Sequence, residues 1–242
     1  MKMDTIKINK KQALMVAHRG SSALEKENTY PAFVAAGNRS YFGIETDVHR
    51  TLDGKFVCIH DDTTKRVAID DMVVEQTTFD TLRSLLLTDI DGAKGRTDLR
   101  IPTLQEYIRI CKKYEKTAVL ELKNAFDEDD IRKIVYIISE EGWLDEVIFI
   151  SFNFDNMLHL RKMLPNQRCQ FLTGGAVTDE LIASLKANNL DLDIRYTSLT
   201  EENIAQLHEQ GIKVNCWTVD NPEDAAKLID WGIDFVTSNR LE

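Results

Sequence analysis

The chain has 242 residues, 43% of them hydrophobic, enough for a sizeable core, so a disordered chain is excluded. Its formal net charge of −10 opposes sequence-independent binding of nucleic acid or an anionic membrane, since both need clustered cations. A small anionic substrate held by a few local cations stays open.

Cys58, Cys111, Cys169 and Cys216 lie far apart with no C-x-x-C pair. They predict reduced, mostly buried thiols and a reducing compartment, not a disulfide or zinc framework. The opening MKMDTIKINKKQ lacks the apolar stretch of a signal peptide, and no run of about 18 apolar residues occurs. A cytoplasmic protein with no stable membrane insertion is the expectation.

In chain order, Leu14–Ala17 reads as a first strand that delivers His18-Arg19-Gly20 to a loop, with Glu27-Asn28-Thr29 close behind. Gly43–Val48 is the second, and Glu45 and Asp47, two apart, point to one side of it. Asp53-Gly54 is a two-residue hairpin signal. A tight turn centred there sets Asp47 opposite His60, so a β-arm rising from the second strand returns His60 to Glu45 and Asp47. A solvated hairpin with ordinary surface charges is the competing reading.

Pro102 opens the helical stretch PTLQEYIRICKKY, in which Leu104, Ile108 and Cys111 share a face. Ala118–Leu122 follows as the third strand. There Glu121 either joins Glu45 and Asp47 as a third carboxylate or simply pairs with Lys123. Further strands are Val147–Ser151 (with Phe152 after it), Cys169–Thr173, Leu192–Arg195, Lys213–Val219 (carrying Trp217) and Phe235–Thr237. Thr200 caps EENIAQLHEQG, which stops at Gly211; Asn221 caps a helix with Pro222 in its first turn and Gly232 past its end. Gly174-Gly175 reads as a plain loop. Asp191 and Asp193, with Arg195 free to neutralise one of them, read as structural; His49, His159 and His208 read as hairpin or helix-surface residues.

Eight near-continuous apolar strands alternating with helices imply an α/β fold whose parallel sheet is covered by helices. At this length they favour one (β/α)8 TIM barrel over 1–242 rather than an open sheet. No Gly-x-Gly-x-x-Gly follows the first strand, which weakens a dinucleotide-binding fold further. Function in a barrel sits at the carboxyl ends of the strands, where His18, Arg19, Glu45, Asp47, Glu121, Lys123, Phe152 and Trp217 fall. Three carboxylates without structural partners suit magnesium or calcium better than zinc. Two histidines suit acid and base roles in phosphodiester cleavage, while Arg19, Lys123 and a metal would hold phosphoryl oxygens.

HRG at 18–20, ENT at 27–29, GIETDV at 43–48, HDD at 60–62, ELK at 121–123, ISF at 150–152 and CWTV at 216–219 occur in that order. In these motifs nearly the whole chain resembles the glycerophosphodiester phosphodiesterase family, TIM-barrel enzymes related to bacterial phosphatidylinositol-specific phospholipase C. The resemblance implies metal-dependent hydrolysis of a small-molecule glycerophosphodiester to sn-glycerol 3-phosphate and an alcohol. It makes His18 and His60 the acid/base pair, Glu45, Asp47 and Glu121 the ligands of Mg or Ca, and Arg19 and Lys123 the phosphate contacts. It further implies that Trp217 packs on the glycerol, that Phe152 lines the same pocket, that Asn28 lies near the metal or phosphate, and that Glu27 lies near the mouth.

The loop SSALEKENT lacks the proline that precedes Glu-Asn-Thr in the family, and DDTTKRVAIDD departs from the run that follows the second histidine. Residues 62–100 would be a small insertion that covers the mouth and selects the alcohol. The last barrel helix is expected to be short or absent. A lysophospholipase D or phosphoinositide-type phospholipase on the same scaffold is one alternative. A non-catalytic phosphodiester-binding module is another, although both histidines and all three carboxylates are filled. The order in which the histidines act, the alcohol, the ion and the oligomeric state are left open by the sequence.

Overall fold

The computed structural model describes residues 4–242. Its strands are β1 (Leu14–Ala17), β2 (Gly43–Arg50), β3 (Phe56–Cys58), β4 (Thr117–Leu122), β5 (Val147–Ser151), β6 (Arg168–Thr173), β7 (Asp191–Arg195), β8 (Val214–Trp217) and β9 (Phe235–Ser238). Neighbours run β1-β9-β8-β7-β6-β5-β4-β2, and β2 pairs back onto β1, so eight parallel strands close a ring. β3 is antiparallel and hangs on β2 outside that ring. The ring strands are those predicted, and the fold is the (β/α)8 barrel.

Helices α1 (Tyr30–Gly37), α2 (Phe79–Ser84), α3 (Leu104–Lys113), α4 (Glu128–Glu140), α5 (Phe154–Met163), α6 (Asp179–Ala187), α7 (Glu201–Glu209) and α8 (Pro222–Asp230) complete the chain. α3 begins two residues beyond Pro102, because Thr103 and Glu106 cap each other reciprocally across its first turn. Thr200 and Asn221 cap α7 and α8 as predicted. Among the described residues no helix follows β9; Leu241 bridges to Ile6 instead. None of the helices is long and apolar enough to cross a membrane.

Most of the core lies between the ring and its helices, with a smaller cluster that includes Val16, Val119, Ile148, Ile150, Leu172 and Phe235. The four cysteines are buried free thiols. Residues 62–100 gather over a core of their own, in which Val67, Val74, Leu82, Leu87 and Leu99 pack against Val57 and Ile59.

The hairpin corrects one expectation. Thr51 and Lys55 close a loop of Leu52, Asp53 and Gly54, with Gly54 at φ +73°, one residue longer than a two-residue turn. Loops of this length place a left-handed residue last, so Asp-Gly fits them equally well. The register shifts by one, and Asp47 stands opposite Ile59, whose N–H donates to the Asp47 carbonyl at 3.1 Å. β3 ends at Cys58, and His60 reaches the mouth after leaving the ladder.

Candidate active site

The loop after β1 turns through the left-handed region at Arg19 (φ +54°), Gly20 (φ +77°) and Asn28 (φ +51°). A Cβ on Gly20 would lie 2.7 Å from the Ala32 carbonyl carbon, so only glycine lets the loop lie down on α1. The Arg19 N–H donates to Glu45 Oε2 at 2.7 Å, which ties this turn to β2. Asn28 accepts from Thr46 Oγ1 (2.7 Å) and donates from Nδ2 to Asp47 Oδ2 (2.8 Å), so its amide has one possible orientation.

On β2, Glu45 and Asp47 face the same way, and Asp47 lies in register beside Glu121 on β4. The three carboxylates are buried and each offers an oxygen within 4.8 Å of the others. Burial, reinforced by the Asp47 charge, pushes Glu45 well above the carboxylate range and Glu121 up to about 7. Burial would raise Asp47 too, but Arg19 and then Lys123 hold it well below. Lys123 Nζ lies 2.8 Å from Glu121 Oε1 and 3.5 Å from Asp47 Oδ1, in contacts without hydrogen-bond angles. Glu121 is thus ion-paired with Lys123, the pairing that the sequence left open as its alternative role. An all-oxygen set of buried, mutually repelling carboxylates, only partly compensated by Arg19, Asn28 and Lys123, fits a hard divalent cation.

His18 Nδ1 lies 2.8 Å from Asn239 Oδ1. The Asn239 amide nitrogen donates to Asp220 Oδ2 at 2.5 Å, and its oxygen also accepts from Ser22 Oγ at 2.7 Å. A carboxylate only accepts, so the amide oxygen must face His18 and Nδ1 must carry the proton. Nε2 is left as a lone pair. Burial, then Arg19, lowers the His18 pKa to about 4, so the ring is neutral near pH 7.

His60 Nδ1 donates to Asp61 Oδ1 at 2.6 Å. Burial lowers its pKa as well, partly opposed by Asp47. His49 sits on the β2–β3 hairpin as expected, its side chain fully buried and Nε2 3.2 Å from the His60 carbonyl. His208 stays on α7 beside Asp234.

A cavity of about 280 Å³ opens at the carboxyl ends of the strands. His18, Arg19, Glu45, His60 and Glu121 line it together with apolar Ile150, Phe152, Leu172 and Trp217. Phe152 meets Trp217 edge-on at 5.6 Å between centroids. Asp47 lies out of the lining, Lys123 beside it, while Glu27 and Asn28 border a neighbouring cleft with His60.

Asp193 was read as structural, yet it lines the cavity, and its buried Oδ1 has no partner. Burial, then the Glu121 charge, pushes its pKa well up. Arg195, expected to be free to neutralise an aspartate of its strand, stacks 5.8 Å over the Trp217 ring. Asp220 and Asn239 went unnoticed, and Asp61 was noted only as part of the HDD motif. The signal for Asp193 and Asn239 was position, on or just past the sixth and eighth ring strands.

The closed parallel barrel gathers these groups around one mouth, and the family its sequence matches makes it a phosphoric diester hydrolase. A sequence model described as the glycerophosphoryl diester phosphodiesterase family matches residues 18–242, and the chain belongs to that family. It is 29% identical to a glycerophosphodiester phosphodiesterase of Caldanaerobacter subterraneus subsp. tengcongensis, across 96% of each chain. It is 30% identical to the uncharacterized protein YqiK of Bacillus subtilis, across 90% of this chain and 91% of that one. Among solved structures, an Oleispira antarctica phosphodiesterase in complex with the product sn-glycerol-3-phosphate superposes with a TM-score of 0.81 at 25% identity, covering 97% of this chain and 96% of that one.

Proposed function

We propose that this hydrolase cleaves glycerophosphodiesters to sn-glycerol 3-phosphate and an alcohol, with His18 and His60 as base and acid and a divalent ion on Glu45, Asp47 and Glu121. The observation that carries the reading is two differently wired histidines lining one cavity with Glu45 and Glu121, two members of a three-carboxylate cluster whose third, Asp47, lies just behind them. The bound ion supplies Lewis-acid polarisation of a phosphoryl oxygen.

His18 Nε2, the free lone pair, takes the proton of the glycerol 2-hydroxyl, whose oxygen attacks phosphorus in line. The bond from phosphorus to the alcohol oxygen breaks, and protonated His60 gives its Nε2 proton to that oxygen. Water, deprotonated by His60, then opens the cyclic phosphate, and His18 returns its proton to the 2-oxygen. Arg19 and Lys123 hold the phosphoryl oxygens as charge builds. Trp217 and Phe152 offer an apolar wall to the glycerol carbons, and Asn28 and Glu27 act from the loop, on Asp47 and Arg19.

Residues 62–100 act as an insertion over the mouth that selects the alcohol, a role supported by Arg66 and Arg96 gripping Glu27 and Glu25 of the first loop. Buried free thiols suit work in a reducing compartment such as the cytoplasm.

The test is release of sn-glycerol 3-phosphate from glycerophosphocholine, -ethanolamine, -inositol and -glycerol, each with magnesium, calcium or chelator. Release with an ion and none with chelator is expected; silence under every condition overturns the reading.

A further inference from the structure

One guanidinium of the 62–100 segment grips two carboxylates at once. Arg66 Nε donates to Asp61 Oδ2 at 2.7 Å and Nη2 to Asp61 Oδ1 at 3.1 Å. Its Nη1 and Nη2 donate to Glu27 Oε2 (2.5 Å) and Oε1 (2.9 Å). Each carboxylate in turn holds a group that lines the cavity. Asp61 Oδ1 accepts from His60 Nδ1 at 2.6 Å, and Glu27 Oε1 accepts from Arg19 Nη1 at 2.9 Å. The result is a continuous chain, His60–Asp61–Arg66–Glu27–Arg19, that spans the mouth.

We propose that Arg66 is a positioning residue that fixes His60 relative to Arg19 during phosphodiester cleavage. The role rests on this chain's being a phosphodiesterase with His60 and Arg19 at the phosphate. Three physical points support it. The guanidinium is a rigid planar fork with donors on two edges, so it sets the angle between two carboxylates, which a lysine point charge cannot do. The Arg66 side chain is 44% exposed, so its first duty is not to fill a core. Held by Arg66 above all, Asp61 has its pKa lowered to about 2 and stays an acceptor at working pH. His60 Nδ1 must then donate, which leaves Nε2 for proton transfer.

The experiment compares the wild type with Arg66→Ala and Arg66→Lys. Loss of such an outer partner is expected to lower kcat by roughly 10- to 100-fold, the scale seen when hydrogen-bond partners behind active-site ligands are removed. KM should change far less, and thermal unfolding should stay near that of the wild type. Guanidinium ion at low millimolar concentration should restore part of the kcat of Arg66→Ala, whereas methylammonium should not. Arg66→Lys, which keeps the charge without the fork, should stay impaired. It also serves as the readable variant should the alanine protein not fold.

A second readout needs no substrate. Proton NMR of the wild type should show the downfield His60 Nδ1 proton, assigned through its loss in Asp61→Asn, and Arg66→Ala should weaken or lose it. Wild-type kcat in both variants, or a rescue-insensitive loss with the His60 proton unchanged, overturns the proposal. If the wild type itself releases no sn-glycerol 3-phosphate, the phosphodiesterase reading has failed instead, and the imidazole proton still reports whether Arg66 places His60.

Discussion

The two histidines carry the same chemistry on paper and opposite wiring in the fold. His18 is held through Asn239, a neutral amide whose oxygen is turned toward it by Asp220, whereas His60 donates directly to the Asp61 carboxylate. A neutral backing group leaves an imidazole uncharged, while the Asp61 anion favours the imidazolium of His60 against the burial that still lowers its pKa. That asymmetry predicts different responses to the leaving group. His60→Ala should lose about 100- to 10,000-fold on an alkyl ester such as glycerophosphocholine, the usual reach of general acid-base catalysis. On a p-nitrophenyl ester of glycerol phosphate, whose leaving group needs no proton, it should recover most of that loss. His18→Ala should stay impaired on both substrates. The reverse pattern would exchange the two roles.

Asp193 gives a second residue-level prediction, with a definite sign. Its folded pKa is raised by burial and then by Glu121, so the folded chain holds a proton that the unfolded chain releases. Stability is therefore full below the ordinary aspartate range and is lost as pH rises through the folded pKa. Asp193→Asn removes that titration. Its melting temperature should match the wild type near pH 4 and exceed it increasingly toward pH 8. A difference that does not change with pH would mean that Asp193 is not a buried acid of this kind.

At the scale of elements, two glycines at nearly the same dihedral angle differ in what surrounds them. Gly20 (φ +77°) has no room for a methyl group, whereas a Cβ on Gly54 (φ +73°) would approach nothing closer than the Arg50 side chain at 3.7 Å. Gly54→Ala should cost about 1–2 kcal/mol, the price of a left-handed alanine, and leave kcat near wild type. Gly20→Ala adds a backbone collision and displaces the Arg19 N–H from Glu45, so stability and kcat should fall together. Urea melts and steady-state rates on both variants decide this.

The same elements mark how far the sequence could be read. Ring strands are apolar on both faces, so a polar residue toward the end of such a run stands out, and His18, Glu45, Asp47 and Glu121 were singled out on that ground. The hairpin register was not, because Asp-Gly serves two loop lengths and a single residue decides which stands opposite Asp47. Contacts between distant segments were invisible for a different reason. Asn239 lies 221 residues from His18, and only closure of β9 onto β1 brings them together. Arg66 sits in a segment without strand or helix periodicity, so nothing local marks it as the link between Asp61 and Glu27.

For the whole molecule, the proposed ion site makes a prediction about stability, because its carboxylates are buried together. With its pKa raised to about 7, Glu121 contributes stability in full below the unfolded value of 4.5, and the contribution is lost as pH climbs through 7. Glu45 is shifted in the same direction by burial and by Asp47. The ion-free barrel should therefore weaken between about pH 5 and 8, the interval through which buried Glu121 is forced to ionise. A divalent cation held as proposed should reverse the trend, because it would bind the ionised cluster of the folded chain and not the dispersed carboxylates of the unfolded one. At 100 times its Kd it should add about 2.7 kcal/mol. The gain should be largest near pH 8 and small near pH 5, where protons compete for the same oxygens. Glu45→Gln separates the two effects. It removes a buried carboxyl whose charged form burial and Asp47 disfavour, so its ion-free melting temperature should fall less than that of the wild type as pH rises toward 8. It also removes one ligand, so added magnesium or calcium should shift it far less. Calorimetry at the two pH values, with ion and with chelator, measures all four states. An ion-induced shift that survives intact in Glu45→Gln would place the cation elsewhere than on the cluster that β2 and β4 build.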